Sequence, residues 1–293
     1  MLYTIQNEYL TIQVNDKGAE LWSVKDQEGT EYLWQGNEKY WREKAPNLFP
    51  YIARLTEGKY QLQGKFYEMG THGFAKKMIF EAEQISESHL VFSLKNNEET
   101  YASYPYKFTF SVIYKLEGKK LVITYYVKNE DDKEMYFGIG GHPGFNVPLE
   151  EGFAFEDYYL EFGTSKQAKR VEFSSDCYVT GGLHEYQMEE GVRIPLAHNL
   201  FDDDAIVLTE TAKSVLLASK GGKKGIRVTY PDMDYIGFWH KPKTDAPYVC
   251  IEPWSSLPSR KGIVEDLASK PDLIHLQVGT EYENQYVIEV INS

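Results

Sequence analysis

The sequence of 293 residues contains only two cysteines, Cys177 and Cys250. Two cysteines cannot form the multi-disulfide framework of a small secreted domain, so the sequence favours a reducing compartment. It also has no apolar run of transmembrane length, and its first residues, MLYTIQNEYLTIQVND, are neither basic nor continuously apolar. We therefore expect no signal peptide and no membrane span, and we predict a cytoplasmic protein.

Runs rich in lysine or arginine are also missing, and the formal net charge is −13. A negative field of this size repels nucleic-acid phosphates and anionic lipid surfaces, so neither is expected as a partner. Aromatic residues, in contrast, make up 15% of the chain and include 23 tyrosines. Aromatic side chains pack well on strands, and rings with an apolar face and a polar tip suit a sugar-binding cleft.

Helical periodicity is scarce, and the only two candidates, Glu38–Lys44 and Gly262–Ser269, are short. Period-two alternation dominates instead. Its longest example runs from Phe108 to Leu116 and resumes from Leu121 to Val127, which predicts a hairpin with a glycine-bearing turn. Further strands are predicted at Tyr3–Ile5, Leu10–Val14, Leu21–Lys25, Leu90–Lys95, Ile206–Glu210, Val215–Ser219, Ile226–Tyr230, Tyr248–Glu252 and Tyr286–Ile291.

Many closely spaced strands with few helices and no strand–helix–strand rhythm are typical of an antiparallel sandwich. No low-complexity linker divides the chain, and no internal repeat is evident. The sequence therefore predicts one all-β domain over residues 1–293, a large antiparallel β-sandwich with few short helices.

Two stretches carry polar side chains where the strand pattern breaks. Arg54 interrupts the apolar run NLFPYIARL, and a buried arginine needs a partner, which is either a structural carboxylate or a ligand with paired oxygens. His72 lies between Gly70 and Gly73, which permit a tight turn and the close approach of a ligand. An ordinary turn on the surface would also explain this histidine.

Two further stretches hold groups suited to proton transfer. His142 lies in GIGGHPGFN, where glycines and Pro143 frame the side chain best suited to exchanging a proton near neutral pH. Phe145 follows and can offer a stacking face. Glu252 ends the apolar run from Tyr248 to Ile251, and burial there would raise its pKa, as a general base requires. An exposed glutamate at a strand end is the alternative.

Other chemistry has less support in the sequence. Trp239, beside His240 in GFWHKP, can line a cleft. No close pair of histidines or cysteines has the spacing of metal ligands, so no metal site is predicted, although His72 and His142 can meet in space with a carboxylate. The GGKKG stretch at 221–225 lacks the terminal Lys-Ser/Thr of a phosphate-binding loop and predicts a hairpin turn.

Five sequence features, taken in chain order, resemble the aldose 1-epimerase (galactose mutarotase-like) family. They are Arg54, THG at 71–73, GHPGFN at 141–146, an aspartate near FDDDAIVL, and CIEPW at 250–254. The resemblance covers nearly the whole chain and looks closest to a shorter bacterial branch of lactose-operon-associated, epimerase-like proteins. It implies a large β-sandwich, called a supersandwich in this family, that interconverts the α and β anomers of an aldose without a cofactor.

The resemblance also implies roles for individual residues. Glu252 corresponds to the general base, His142 to the general acid, and His72 assists at the ring oxygen. Arg54 matches the substrate-binding arginine. The sugar-binding aspartate falls within Leu200–Ile206, where Asp204 is favoured because it directly precedes the apolar run, with Asp203 beside it. The expected partner is a small aldose, and the expected assembly is a monomer or homodimer.

Gly141, Pro143 and Gly144 depart from the pattern of the better-known galactose mutarotases, which carry an asparagine before this histidine and no proline-glycine after it. The arginine motif has one arginine where those relatives have two. These differences disfavour galactose as the substrate. A hexose 6-phosphate is an alternative, since Lys76 can meet a phosphate, but a neutral aldose is favoured.

Two other classes of protein remain open. One is a non-catalytic sugar-binding protein, which would not need both proton-transfer residues. The other is a glycoside hydrolase, which requires two carboxylates and would leave the histidines unexplained.

Overall fold

The computed structural model describes residues 1–164 and 167–292, and antiparallel strands dominate it. In chain order the strands are β1 (Leu2–Gln6), β2 (Leu10–Asn15), β3 (Glu20–Asp26), β4 (Asn47–Leu48), β5 (Lys59–Leu62), β6 (Lys65–Glu68), β7 (Glu81–Ser86), β8 (His89–Lys95), β9 (Phe108–Glu117), β10 (Lys120–Asn129), β11 (Met135–Phe137), β12 (Gly140–Gly141), β13 (Gly144–Asn146), β14 (Tyr158–Phe162), β15 (Lys169–Phe173), β16 (Val179–Glu185), β17 (Arg193–Pro195), β18 (Ile206–Thr209), β19 (Ser214–Ser219), β20 (Lys224–Thr229), β21 (Tyr235–Trp239), β22 (Tyr248–Trp254), β23 (Ile274–Leu276) and β24 (Glu281–Asn292).

The strands predicted from alternation are confirmed, with ends that differ by a few residues. The long hairpin is confirmed as β9 and β10, paired from Phe108 opposite Asn129 to Glu117 opposite Lys120. The GGKKG turn is confirmed as the connection between the antiparallel neighbours β19 and β20.

Helical structure is limited to short segments in the described part of the chain. The α-helix α1 (Glu98–Ser103) begins at Asn97, whose side chain accepts a hydrogen bond from the N–H of Thr100 at 2.9 Å while the Thr100 hydroxyl accepts one from the N–H of Asn97. This reciprocal cap stabilises the first turn of a helix. Turns of 3₁₀-helix lie at Thr56–Gly58, Ala75–Lys77, Phe155–Asp157 and His198–Phe201.

The two helices predicted at Glu38–Lys44 and Gly262–Ser269 are wrong, because both stretches are irregular turns. In the first, the N–H of Lys44 donates to the Glu20 carboxylate. In the second, Gln61 donates to the carbonyl of Glu265 and accepts from the N–H of Leu267. Tertiary partners thus take backbone groups that a helix would have used internally.

Two large sheets enclose the core. Nine strands form one sheet in the order β17-β14-β19-β20-β24-β10-β9-β8-β7, and the other runs β16-β15-β18-β21-β22-β12-β4, with β13 also paired to β22. Phe110 and Ile123 from the first sheet belong to the same buried cluster as Val249 and Ile251 from the second. The predicted antiparallel β-sandwich is therefore confirmed.

The outer face of the second sheet carries different residues. Because successive side chains of a strand point to opposite faces, Val249 and Ile251 enter the core while Tyr248, Cys250 and Glu252 face outward. Gly237 of β21 lies opposite Glu252, and Gly140 of β12 lies opposite Trp254. This outer face forms the floor of a cleft.

The glycines around His142 serve close packing. Their φ angles are not positive, so these positions do not need glycine for its backbone conformation. A Cβ on Gly140 would lie 2.6 Å from the carbonyl oxygen of Pro253, and one on Gly141 would lie 2.7 Å from the hydroxyl of Tyr286. The chain leading to His142 is thus pressed against β22 and β24. No helix in residues 1–164 or 167–292 is long and apolar enough to cross a membrane.

Gly140→Ala should lower the free energy of unfolding by about 1–3 kcal/mol, because the added methyl group meets the rigid backbone at Pro253. Gly163→Ala is the matched control, since a Cβ at Gly163 meets no atom of the described residues within 4 Å and its φ is not positive. The control should change stability by less than about 0.5 kcal/mol. Urea denaturation measures both values, and equal stability of the two variants would contradict the packing account.

Candidate active site

A cavity of about 390 Å³ opens on the outer face of the second sheet, and Glu252, His142 and His72 lie together in it. The Glu252 side chain is 1% exposed, and its Oε2 lies 3.2 Å from Nε2 of His142. Within the described residues, Glu252 Oε2 and His142 Nδ1 are buried without a hydrogen-bond partner. Buried polar atoms are nearly always satisfied, so these two groups are candidates for contact with a ligand.

Burial shifts the two groups of this pair in opposite directions. Loss of water raises the pKa of Glu252 well above its ordinary value, and the negative charge of Asp204 adds to this, whereas the Trp254 indole N–H opposes it. Burial lowers the pKa of His142 to about 3, and the positive charge of Lys76 adds to this shift. The pair therefore holds a single proton over a wide pH range around neutrality.

His72 reaches the cavity through a left-handed backbone conformation, with φ of 64°. Its Nδ1 accepts a hydrogen bond from the N–H of Ala53 at 3.1 Å, which leaves the proton of the neutral ring on Nε2. Burial lowers the pKa of His72 well below its ordinary value, and the charge of His142 adds to this. His72 is thus a neutral hydrogen-bond donor, with its ring centre 5.5 Å from that of His142.

Two tryptophans flank the His142 imidazole. Trp41 lies over the ring at 4.8 Å between centroids and an angle of 31°, and Trp239 meets it edge-on at 5.7 Å and 83°. Both line the cavity. The π face of an aromatic ring attracts a cation, so Trp41 stabilises the imidazolium whenever His142 takes the proton.

The structure places only some of the neighbouring aspartates in the cavity. Asp203 and Asp204 line the cavity, while Asp202 does not and instead accepts a hydrogen bond from the N–H of Lys243 at 3.1 Å. The Asp204 carboxylate accepts hydrogen bonds from the N–H of Ala205 and from the thiol of Cys177, each at 2.9 Å.

Of three other predicted site residues, Arg54 lines the cavity but is not buried, and Lys76 and Phe145 lie outside the cavity. Arg54 was expected to be buried, but it is exposed at the cavity wall, where its guanidinium donates a 3.4 Å hydrogen bond to the carbonyl of Asp176. Lys76 does not line the cavity, because Glu43 holds its ammonium at 3.0 Å. Phe145 lies opposite Val249 on the core side of the sheet, so its buried ring has no stacking face toward the cavity.

Sequence reasoning missed several residues of the cavity wall. Trp254 could have been found, because it lies two residues after Glu252 on the same strand and therefore on the same face. Trp41 and Glu43 lie in the turn that was mistaken for a helix. No feature of the sequence indicated that Phe173 and Cys177 line the cavity.

Backbone strain concentrates at this cavity. Ala53, His72, Cys177 and Asp204 all line it, and all four have positive φ angles, between 54° and 78°. Residues other than glycine rarely adopt this conformation, and each costs of order 1–3 kcal/mol. Such strain clusters at functional sites, because selection for function retains it there.

Glu252→Gln should raise the free energy of unfolding at pH 7 by on the order of 1 kcal/mol or more. The folded-state pKa of Glu252 is raised above its unfolded value of about 4.3, so the wild type loses stability as pH rises through and above that value. Below about pH 4 both states are protonated, and the advantage of the variant should vanish. Urea denaturation of both proteins at pH 4 and pH 7 measures the difference, and a variant that is no more stable than the wild type at pH 7 would contradict the prediction.

Comparisons with known proteins agree with this geometry. The family model described as "Aldose 1-epimerase" matches residues 1–288. The chromosomal LacX protein of Lactococcus lactis subsp. lactis is 34% identical over 304 residues, with all of each chain covered.

Solved structures show the same relationship. A galactose mutarotase related enzyme from Lactobacillus acidophilus is 35% identical, with a TM-score of 0.94 over 99% of this chain and 97% of the other. A galactose mutarotase-like protein from Lactobacillus casei is 31% identical, with a TM-score of 0.94 over 99% and 100% of the two chains. The resemblance expected from the sequence is confirmed, and the chain belongs to the aldose 1-epimerase family.

Proposed function

We propose that the protein is an aldose 1-epimerase that interconverts the α and β anomers of a neutral hexose. The observation that carries the proposal is the buried Glu252 carboxyl, 3.2 Å from the buried His142 imidazole, in a cavity of about 390 Å³ walled by tryptophan. Acid–base catalysis requires two such groups within reach of one substrate. Aromatic faces with a few polar side chains suit a sugar ring.

The reaction needs one base and one acid. Glu252 removes the proton of the C1 hydroxyl, and the electrons of that O–H bond form the C1 carbonyl. The bond between C1 and the ring oxygen breaks, and the ring oxygen takes its electron pair together with a proton from His142. The open aldehyde rotates about the C1–C2 bond, and the ring closes on the other face of C1 with the two roles reversed.

The single proton held by Glu252 and His142 suits this reversible step. The catalytic form has a Glu252 carboxylate and a His142 imidazolium, which contains the same single proton as the neutral pair. Because the two atoms lie 3.2 Å apart, that proton can be placed on either group. Trp41, whose face lies over the imidazole, stabilises the imidazolium. Ring closure returns the proton to its starting place, so each turnover regenerates the site.

The remaining polar groups are assigned to binding. His72 donates from Nε2 and assists His142 at the ring oxygen. Arg54 and Asp204 contact ring hydroxyls, and Asp203 offers a further acceptor near the cavity wall. Arg54 has no carboxylate within 4 Å in the described part of the chain, so its guanidinium is available to hydroxyl oxygens.

The charges of the cavity favour a neutral sugar over a phosphorylated one. The carboxylates of Glu43, Asp203 and Asp204 line it, and Arg54 is the one cation in its wall among the described residues. Lys76, the residue expected to meet a phosphate, is already neutralised by Glu43. A dianionic phosphate would therefore enter an acidic cavity with one cation to receive it.

Activity is tested by following the equilibration of freshly dissolved α-glucose and α-galactose by polarimetry or by NMR exchange. The protein should accelerate equilibration beyond the buffer rate. Glu252→Gln and His142→Asn should each lower kcat by roughly 10²- to 10⁴-fold, because each removes one proton-transfer group. The corresponding 6-phosphates, measured in parallel, should have a lower kcat/KM.

Asp202→Asn is the matched control, because Asp202 lies outside this cavity. It should leave the rate within about twofold of the wild type. Calorimetric binding of the same sugars identifies the alternative. Sugar binding without acceleration by the wild type, across neutral and phosphorylated aldoses, would indicate a binding protein rather than an epimerase.

The pH dependence of kcat/KM should be flat between about pH 5.5 and 7.5. The one-proton state of the pair begins below the ordinary histidine pKa, because burial lowers the pKa of His142, and it persists upward because burial raises the pKa of Glu252. An acid limb with an apparent pKa near 6.5 would contradict this assignment. Rates are compared after subtracting the buffer-catalysed rate at each pH.

A further inference from the structure

Cys177 and Asp204 are held together at the cavity wall. Their hydrogen bond, from the thiol to Oδ2 at 2.9 Å, joins two segments that are 27 residues apart in sequence. Cys177 lies in the turn that follows β15, where its N–H donates to the carbonyl of Ser174, and Asp204 lies just before β18. Both line the cavity that contains Glu252.

The backbone on both sides of this contact is strained. The φ angle is 64° at Cys177 and 78° at Asp204, in the left-handed region that side chains other than glycine rarely adopt. Two strained residues meeting in one hydrogen bond are costly for a contact that served folding alone. This cost points to a role for the contact in orienting the Asp204 carboxylate.

Each oxygen of the Asp204 carboxylate already accepts one hydrogen bond. Oδ1 accepts the N–H of Ala205, and Oδ2 accepts the thiol of Cys177. A carboxylate oxygen has two lone pairs, so each oxygen keeps one for a further donor. Two anchored oxygens with one free lone pair each form an acceptor pair of fixed direction.

The thiol is suited to this contact because it stays protonated. Burial, together with the hydrogen bond to Asp204 and its charge, raises the pKa of Cys177 to about 11. At neutral pH the sulfur therefore carries its proton and acts as a donor to the carboxylate. A thiolate would repel Asp204.

We propose that Cys177 is a positioning residue that fixes the Asp204 carboxylate for the hydroxyls of the bound aldose. This rests on the proposed function, in which Asp204 contacts the sugar. Cys177 takes no part in proton transfer, so its effect falls on binding rather than on turnover. A sugar seated against Asp204 also covers the thiol, because both side chains line one cavity.

Cys177→Ala and Cys177→Ser test the donor. The alanine variant should raise KM and the calorimetric Kd for the aldose by roughly 3- to 10-fold, with kcat within about twofold, because one hydrogen bond to a charged acceptor is lost. Serine retains a donor and should recover most of the affinity. Unchanged KM and Kd in the alanine variant, or a loss in kcat alone, would overturn the proposal.

The pH dependence of alkylation by iodoacetamide gives a readout that needs no sugar. In Asp204→Asn the thiol pKa of Cys177 should fall, because the charge that holds the proton is removed, while Asp202→Asn should leave it unchanged. Peptide mapping assigns the modified residue, and fully buried Cys250 should stay unmodified in the folded protein. An unaltered thiol pKa in Asp204→Asn would overturn the contact itself.

Failure of the proposed function gives a different pattern. A wild type that never accelerates mutarotation removes the catalytic proposal, while the calorimetric Kd and the thiol pKa still judge the role of Cys177. Protection of the thiol by bound aldose, measured as at least about threefold slower alkylation, supports the proposal. Binding of the aldose without any protection counts against it.

Discussion

The contact between Glu252 and His142 is the constraint on which the rest of the site depends. A carboxyl group that is 1% exposed and has an unsatisfied oxygen is costly, because burial removes water without supplying a full set of partners. The surrounding structure must therefore hold both groups in place. β22 is a central strand paired on both sides, and the glycines of β12 let the chain that carries His142 lie directly against it.

The electrostatics of the cavity follow from that contact. Asp204 adds to the effect of burial at Glu252, and the charge of Lys76 contributes to the lowered pKa of both histidines. Glu43 pairs with Lys76 at the same edge. The outcome is a site where the acidic group keeps its proton and the basic group releases it, the reverse of their behaviour in water. The single proton of the pair therefore rests on Glu252 in the unliganded site.

Much of this arrangement could be predicted from the sequence, for a physical reason. Strand alternation is a local property, so it identified β9, β10 and the strand that ends near Glu252 without knowledge of their partners. The side chains whose positions were predicted wrongly depend on strand register or on contacts with distant parts of the chain. Phe145 lies on the core side because Val249 is opposite it, and Arg54 is exposed because its turn lies at the cavity wall. The left-handed conformation of Cys177 has no signature in residue type.

The alternation of side chains along β22 determines which residues a misaligned sheet would expose. Ile251 points into the core and Glu252 points to the cleft, so a shift of one residue in pairing would bury a carboxylate among aliphatic side chains and expose an isoleucine. A misaligned sheet would thus expose apolar surface and break the Glu252–His142 contact in the same event. Quality control that recognises exposed apolar surface would, for this chain, also remove the molecules in which Glu252 is displaced from His142.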